Sequence, residues 1–241
     1  MFRHKGKGRT YSHNLKLASI LSCVAGLVNI TGVLSVSILT TNVTGHFAYF
    51  SEQLFLNNYK TAFTYLFYIL FFLLGAFISG TIMELASRHK SHTSYMIPLS
   101  LEIIIMLFVS VSPELLPAHV SLPLIISSAL LFTMGLQNAL VTRVSQSVVR
   151  TTHLTGLFTD MGIELSQLIL RDSTVKKIQL NKSIFLKFMI IICFFTGGII
   201  GGLVYQYLQL KTLLLPITLL VITLWYDRIL LRYYHLKRKL R

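Results

Sequence analysis

The chain has 241 residues, of which 54% are hydrophobic and only 12% charged, yet its formal net charge is +14. With a mean hydropathy of +0.68, it carries too little polar surface to solvate a water-soluble globule, so an integral membrane protein is expected. The basic excess is distributed as membrane topology and anionic lipid would place it, and no nucleic-acid partner is needed to explain it.

The amino-terminal segment 1–16 carries Arg3, Lys5, Lys7, Arg9 and Lys16 ahead of the first long apolar stretch, Leu17–Leu39. A cleavable signal peptide would also put basic residues before an apolar run, but this stretch is longer than such a run and matches an internal one around Gly135. Further stretches long enough for a hydrocarbon core of roughly 30 Å, each needing about 20 residues, follow at Ala62–Ala86, Tyr95–Val111, Pro123–Thr142, Ile184–Tyr207 and Thr212–Leu231. The expectation is an all-α polytopic protein with six transmembrane helices. Its parts are a first repeat at 17–111, an external loop at 112–122, a second repeat at 123–231 and a basic tail at 232–241.

Of the 22 Lys and Arg residues, all but Lys60 and Lys211 fall on one side of this scheme. Basic residues in short loops are retained in the cytoplasm, so both termini are expected there. Cys23 and Cys193 both fall inside predicted spans and read as small apolar residues, not as a disulfide or metal pair.

Four anchors recur in the same order. Gly26-Leu27-Val28-Asn29 returns as Gly135-Leu136-Gln137-Asn138 at an offset of 109, and Asn42-Val43-Thr44-Gly45 as His153-Leu154-Thr155-Gly156 at 111. The glycine-rich segment at Gly75 returns at Gly197 at 122, and Pro98 returns as Pro216 at 118. Three spans per copy would start the second copy on the opposite side from the first, giving two inverted repeats, an architecture of secondary transporters with the site between the repeats.

Each copy places a short apolar segment with a polar start after its first span: Asn42 to Leu56, and Thr151 to Leu168. In the second, Leu154, Leu157, Phe158, Met161, Leu165 and Leu168 recur at helical spacing, and Asp160, Glu164, Gln167 and Arg171 form another face. One reading makes both segments re-entrant helices, capped by Thr44 and Thr155, with Gly45 and Gly156 allowing close approach and the positive helix ends facing an anionic solute. The other lays them flat on opposite membrane surfaces. Matched polar openings on the two sides favour the cavity role. Asn29 and Asn138 are intramembrane amides at equivalent positions that would meet across the pseudo-axis, with Gln137 and Thr31 beside them; interhelical bonding is the plainer role for them.

Glu102 lies inside the third span and is the candidate for proton or cation coupling; at the 118 offset its counterpart is Leu220, and His92 is a conceivable partner. Glu84 and Arg88 have the spacing of a helical ion pair. Small residues four apart at Gly75, Ser79, Gly197 and Gly201 suit close helix packing between the repeats, or a homodimer. Neither a Gly-x-Ser-x-Gly elbow, a His-Glu-x-x-His motif, a phosphate-binding loop nor a cysteine cluster is present, so no enzyme activity, cofactor or metal is expected.

The Asn-x-Thr-Gly opening, the Gly-Leu-Gln-Asn-Ala-Leu run at 135–140 and the Thr-Thr-His-Leu-Thr-Gly run at 151–156 resemble the YoaK family of bacterial multi-pass membrane proteins, a domain of unknown function. The resemblance covers essentially the whole chain. It implies a six-helix protein of the bacterial inner (plasma) membrane and brings no substrate or catalytic residue; Glu102 departs from the plain apolar span it implies. The reading that results is a small transporter or permease for a small solute, anions among the candidates, with Asn29, Asn42, Thr44, Gly45, Gln137, Asn138, Thr152, Thr155 and Gly156 as solute-binding residues. The alternative is a non-transporting membrane scaffold or partner subunit acting through the basic loop at 171–187.

Overall fold

The computed structural model describes residues 10–88, 95–116, 121–170 and 174–239, and every regular element among them is helical. In chain order these are α1 (Tyr11–Val36), α2 (Val43–Phe55), α3 (Tyr59–Arg88), α4 (Met96–Leu115), α5 (Leu122–Ser145), α6 (Leu154–Leu170), α7 (Thr174–Leu208), a 3₁₀ turn (Gln209–Leu213) and α8 (Leu214–Lys239). The basic residues at 1–9, Lys90, His92 and Arg171 lie outside the described residues.

Five segments are long and apolar enough to cross a membrane: α1, α3, α4, α5 and Lys176–Ile229. At 54 residues the last far exceeds the roughly 20 that one crossing needs. It is interrupted where Gln209 takes a φ of 47° and the 3₁₀ turn begins, which separates α7 from α8.

Helix ends differ from the predicted spans where local backbone chemistry intervenes. The first apolar stretch runs to Leu39, but α1 stops at Val36 because Ser37 turns left-handed at φ 57° and sends its N–H back to the carbonyls of Gly32 and Val33. Gln146 ends α5 the same way at φ 53°, 109 residues later. A left-handed residue without glycine's freedom is uncommon, and its recurrence at equivalent positions marks two helices that end in the same abrupt reversal.

Packing is organised by two long pairs: α1 lies along α7, and α3 lies along α5. The backbones approach closely because glycines face carbonyls. A Cβ at Gly26 would strike the Phe194 carbonyl and one at Gly197 the Cys23 carbonyl; likewise, Gly135 meets the Phe72 carbonyl and Gly75 that of Phe132. Around these pairs α2 packs on α3, α6 on α7, and α4 on α5 and α8. The shared core runs through Leu17, Leu21, Val24 and Val28 of α1, Met106 and Val109 of α4, and Leu130, Met134 and Val141 of α5, all buried.

The outer surface is apolar. Phe63, Phe67, Leu73 and Phe77 of α3 and Phe188, Phe195, Ile199 and Leu203 of α7 are exposed. Water would not tolerate so much contiguous hydrocarbon, whereas lipid would, and the helices satisfy their backbone groups internally as a bilayer demands. The architecture is that of a multi-pass integral membrane protein.

Candidate functional site

Asn29 lies seven residues before the end of α1. After the reversal at Ser37 the chain returns along the helix until the N–H and hydroxyl of Thr41 donate to Asn29 Oδ1 at 3.3 and 3.0 Å. At 1.5 Å per residue this brings α2 to start about 10 Å back from the end of α1. The second copy repeats the arrangement. Asn138 lies seven residues before the end of α5, and its Oδ1 accepts from the hydroxyls of Thr152 at 2.8 Å and Thr151 at 3.5 Å.

The caps of the two short helices fall two residues earlier than the sequence suggests. Asn42, not Thr44, caps α2: its Oδ1 accepts from Gly45 N at 3.0 Å and from Thr44 Oγ1 at 3.0 Å. In α6 the residue before the first turn is His153, whose carbonyl accepts from Leu157 N at 3.1 Å. Thr44 and Thr155 are therefore the second residues of their helices, and both reach a common cavity. The reason is geometric, since an N-cap oxygen bonds a backbone N–H two or three residues on, and Asn42 stands three before Gly45.

That cavity, of about 500 Å³, is where α1, α3, α5 and α7 meet the starts of α2 and α6. Its polar lining includes Asn29, Thr41, Asn42, Thr44, Asn138, Thr142, Thr152 and Thr155; its apolar lining is Leu39, Val43, Leu154, Phe72 and Phe194. Arg150 and His153 complete it. Six of the nine solute-binding residues anticipated from sequence thus share one space.

The other three lie behind it. Gln137 is fully buried, and its Nε2 donates to the Leu21 carbonyl at 2.9 Å and to Thr151 Oγ1 at 3.4 Å, bracing the Asn138 network from within the bundle. Gly45 leaves room for the Asn42 amide, and a Cβ at Gly156 would run into the His153 ring. These glycines shape helix starts and do not line the cavity. Glu102 is also outside the lining: the side chain is fully buried in α4, and neither carboxylate oxygen has a hydrogen-bond partner among the described residues.

Sequence reasoning passed over Arg150, Phe72 and Phe194 as site residues. The signal was present in the repeat offsets, since Phe72 and Phe194 are 122 apart and Leu39 and Arg150 are 111 apart, and all four line the cavity.

The short helices present apolar groups outward: Phe47, Tyr49 and Phe55 on α2, and Phe158, Ile163, Leu165 and Ile169 on α6, are exposed. Glu164, on the polar face of α6, turns instead to α7, where its Oε1 accepts from Lys187 Nζ at 2.7 Å and Ser183 Oγ at 2.7 Å. At the far ends of α3 and α5, Glu84 pairs with Arg143 and, at 4.0 Å, with Arg88.

Residues 17–226 match the model of a protein family described as a protein of unknown function, DUF1275. The chain belongs to this family. The DUF1275 family is the one that includes YoaK, in agreement with the resemblance carried by the paired motifs. Neither the curated proteins nor the solved structures contain a match. DUF1275 membership brings no activity with it.

Proposed function

We propose that this protein is a permease for a small solute, built as two inverted repeats of three spans each, six in all, with the cavity between the repeats as its solute site. The observation that carries the reading is the cavity lining itself: both intramembrane asparagines and the starts of both short helices face one space.

Exchange of the two repeats supports the inverted arrangement. It turns the α1–α7 pair into α5–α3, and Gly26 against Phe194 into Gly135 against Phe72. It turns Thr41 on Asn29 into Thr152 on Asn138. Return of the chain to the level of each asparagine, with apolar residues on the outer faces of α2 and α6, favours re-entrant helices over helices lying on the membrane surface. Counting α7 and α8 as separate crossings gives six spans. Glu84 beside Arg143 and Lys211 beside Glu114, at 2.7 Å, then mark opposite membrane faces, with the first cytoplasmic by its basic neighbours.

The test is purification in detergent, reconstitution into liposomes and uptake of a panel of small organic acids, amides, amino acids and inorganic anions. The wild type is compared with an Asn29→Leu/Asn138→Leu variant. Uptake of at least one solute, lost in a variant that remains monodisperse, is the expected result. Uptake equal in the two proteins, or none for any solute, would overturn the assignment.

A second reading draws on α7, whose 35 residues make it about 52 Å long, more than a roughly 30 Å core requires. Its first turns carry exposed Lys176 and Lys182 beyond the apolar stretch, a surface suited to a partner protein or anionic lipid. Loss of cellular function on replacing these lysines, with the Asn variant normal, would favour that scaffold role.

A further inference from the structure

The cavity lining falls into seven pairs at the repeat offsets, with Thr142 outside them, and where a pair differs in polar character the second half is the more basic. At the 111 offset, Leu39 of the first half is matched by Arg150 and Asn42 by His153. Among the described residues, neither aspartate nor glutamate lines the cavity. Arg150 makes no ion pair among the described residues, and Glu84 of α3 is held by Arg143 and Arg88. An arginine stays charged at any accessible pH, so the exposed Arg150 puts on the cavity lining a positive charge that has no ion-pair partner among the described residues.

The asparagines add donors, not acceptors. A backbone N–H can only donate, so the bond from Thr41 N assigns Oδ1 of Asn29, and the bond from Gly45 N assigns Oδ1 of Asn42. Asn138 Oδ1 takes Thr152 in the equivalent position. All three carbonyl ends are therefore occupied, and each amide is left with its two Nδ2 hydrogens, which have no protein partner among the described residues. A cation together with three unpaired N–H₂ groups is a set of donors awaiting an acceptor that carries negative charge.

Size and the remaining walls narrow the class further. A cavity of about 500 Å³ lies within the range of small organic ligands, roughly 300 to 1,000 Å³, and is far larger than a bare inorganic ion. Phe72, Phe194 and Leu39 offer hydrocarbon contact that an inorganic ion would not use.

We propose that the solute is a small organic monocarboxylate, its carboxylate taken by Arg150 and the asparagine amides and its apolar body by Phe72 and Phe194. Arg150 is the residue that sets this specificity. The inference rests on the cavity being the solute site.

The experiment measures binding to the full-length protein in nanodiscs for acid and amide pairs, isovalerate with isovaleramide and benzoate with benzamide, alongside chloride and inorganic phosphate. At least one acid should bind about tenfold or more tightly than its amide, the range expected of a charge-assisted bond. Arg150→Gln should bring that ratio close to one while leaving the unliganded Tm unchanged, and Arg150→Lys should retain part of it. Equal binding of acid and amide to the wild type, chloride or phosphate binding more tightly than every acid, or no acid binding at all overturns the monocarboxylate assignment. The Asn29→Leu/Asn138→Leu variant separates this from the underlying reading. Equal acid and amide affinities that both vanish in the variant leave the cavity as the site and remove only the anion. Acid binding that persists undiminished in the variant removes the cavity itself.

Discussion

Asn29 and Asn138 line one cavity from different helices, and each holds the chain that has just left its own helix: Thr41 at 3.0 Å on Asn29 Oδ1 and Thr152 at 2.8 Å on Asn138 Oδ1. The same side chain thus has two duties. Its carbonyl end holds the returning chain ahead of the short helix, and its amino end has no protein partner among the described residues, which in the proposed permease leaves it to the solute.

Separating those duties gives the first prediction. Thr152→Val removes a hydroxyl donor from Asn138 but leaves the asparagine, and is expected to cost about 1 kcal/mol of stability, the usual net value of such a bond. Asn138→Leu removes both functions and should abolish uptake as well. If the two variants lose uptake to the same degree, the amino end contributes nothing beyond the tether.

Glycines on the long helix pairs divide into two kinds. A Cβ at Gly75 or Gly135 would meet a backbone carbonyl of the facing helix, whereas one at Gly80 or Gly198 would meet nothing within 4 Å. Gly135→Ala and Gly75→Ala should therefore destabilise by about 1 to 3 kcal/mol or more through forced helix separation. Gly80→Ala and Gly198→Ala should leave the monomer unchanged. Detergent-resistance melting of the four variants checks this. A stability loss at Gly80 or Gly198 alone would point to a second copy packing there.

The Lys187–Glu164 pair, with side chains 13% and 19% exposed, joins α6 to α7. Lys187→Met leaves a largely buried carboxylate with only the Ser183 hydroxyl and no counter-charge and should cost about 3 kcal/mol, whereas Lys187→Met/Glu164→Gln should recover much of the loss, because the price of breaking such a pair is chiefly the charge left behind. Chemical denaturation of both variants would show it. A double variant no better than the single one would mean that the pair sets helix position and not merely charge balance.

Glu102 is the candidate for coupling in the proposed permease. Buried in α4 with both oxygens unpartnered, it has no structural bond to lose, so Glu102→Gln should leave the fold intact and binding unaltered. If it carries the coupling proton, as an intramembrane carboxylate is suited to do, the variant should still equilibrate solute but fail to accumulate it against a gradient when a proton gradient is imposed. Undiminished accumulation would remove it from the mechanism.

Helical make-up, the apolar spans and the paired motifs were legible in the residues, because hydrophobic length and repeat offsets are properties of the chain itself. Placement of Asn29, Asn42, Thr44, Asn138, Thr152 and Thr155 in one region could be anticipated from those offsets, since equivalent positions in two copies have equivalent surroundings. The cap positions could not. Whether Asn42 or Thr44 receives the Gly45 N–H depends on where the chain turns, and that is settled by the left-handed Ser37 and the Thr41 bond to a residue twelve positions earlier. Arg150 shows the same division. Its charge is in the sequence, and its place in the cavity arises only because the reversal after α5 returns it to the level of Asn138. Composition and periodicity determined that this chain lives in a membrane as packed helices; tertiary structure alone decided which polar groups face a common space and which are used up on one another, because hydrogen-bond partners are chosen by proximity in three dimensions and not along the chain.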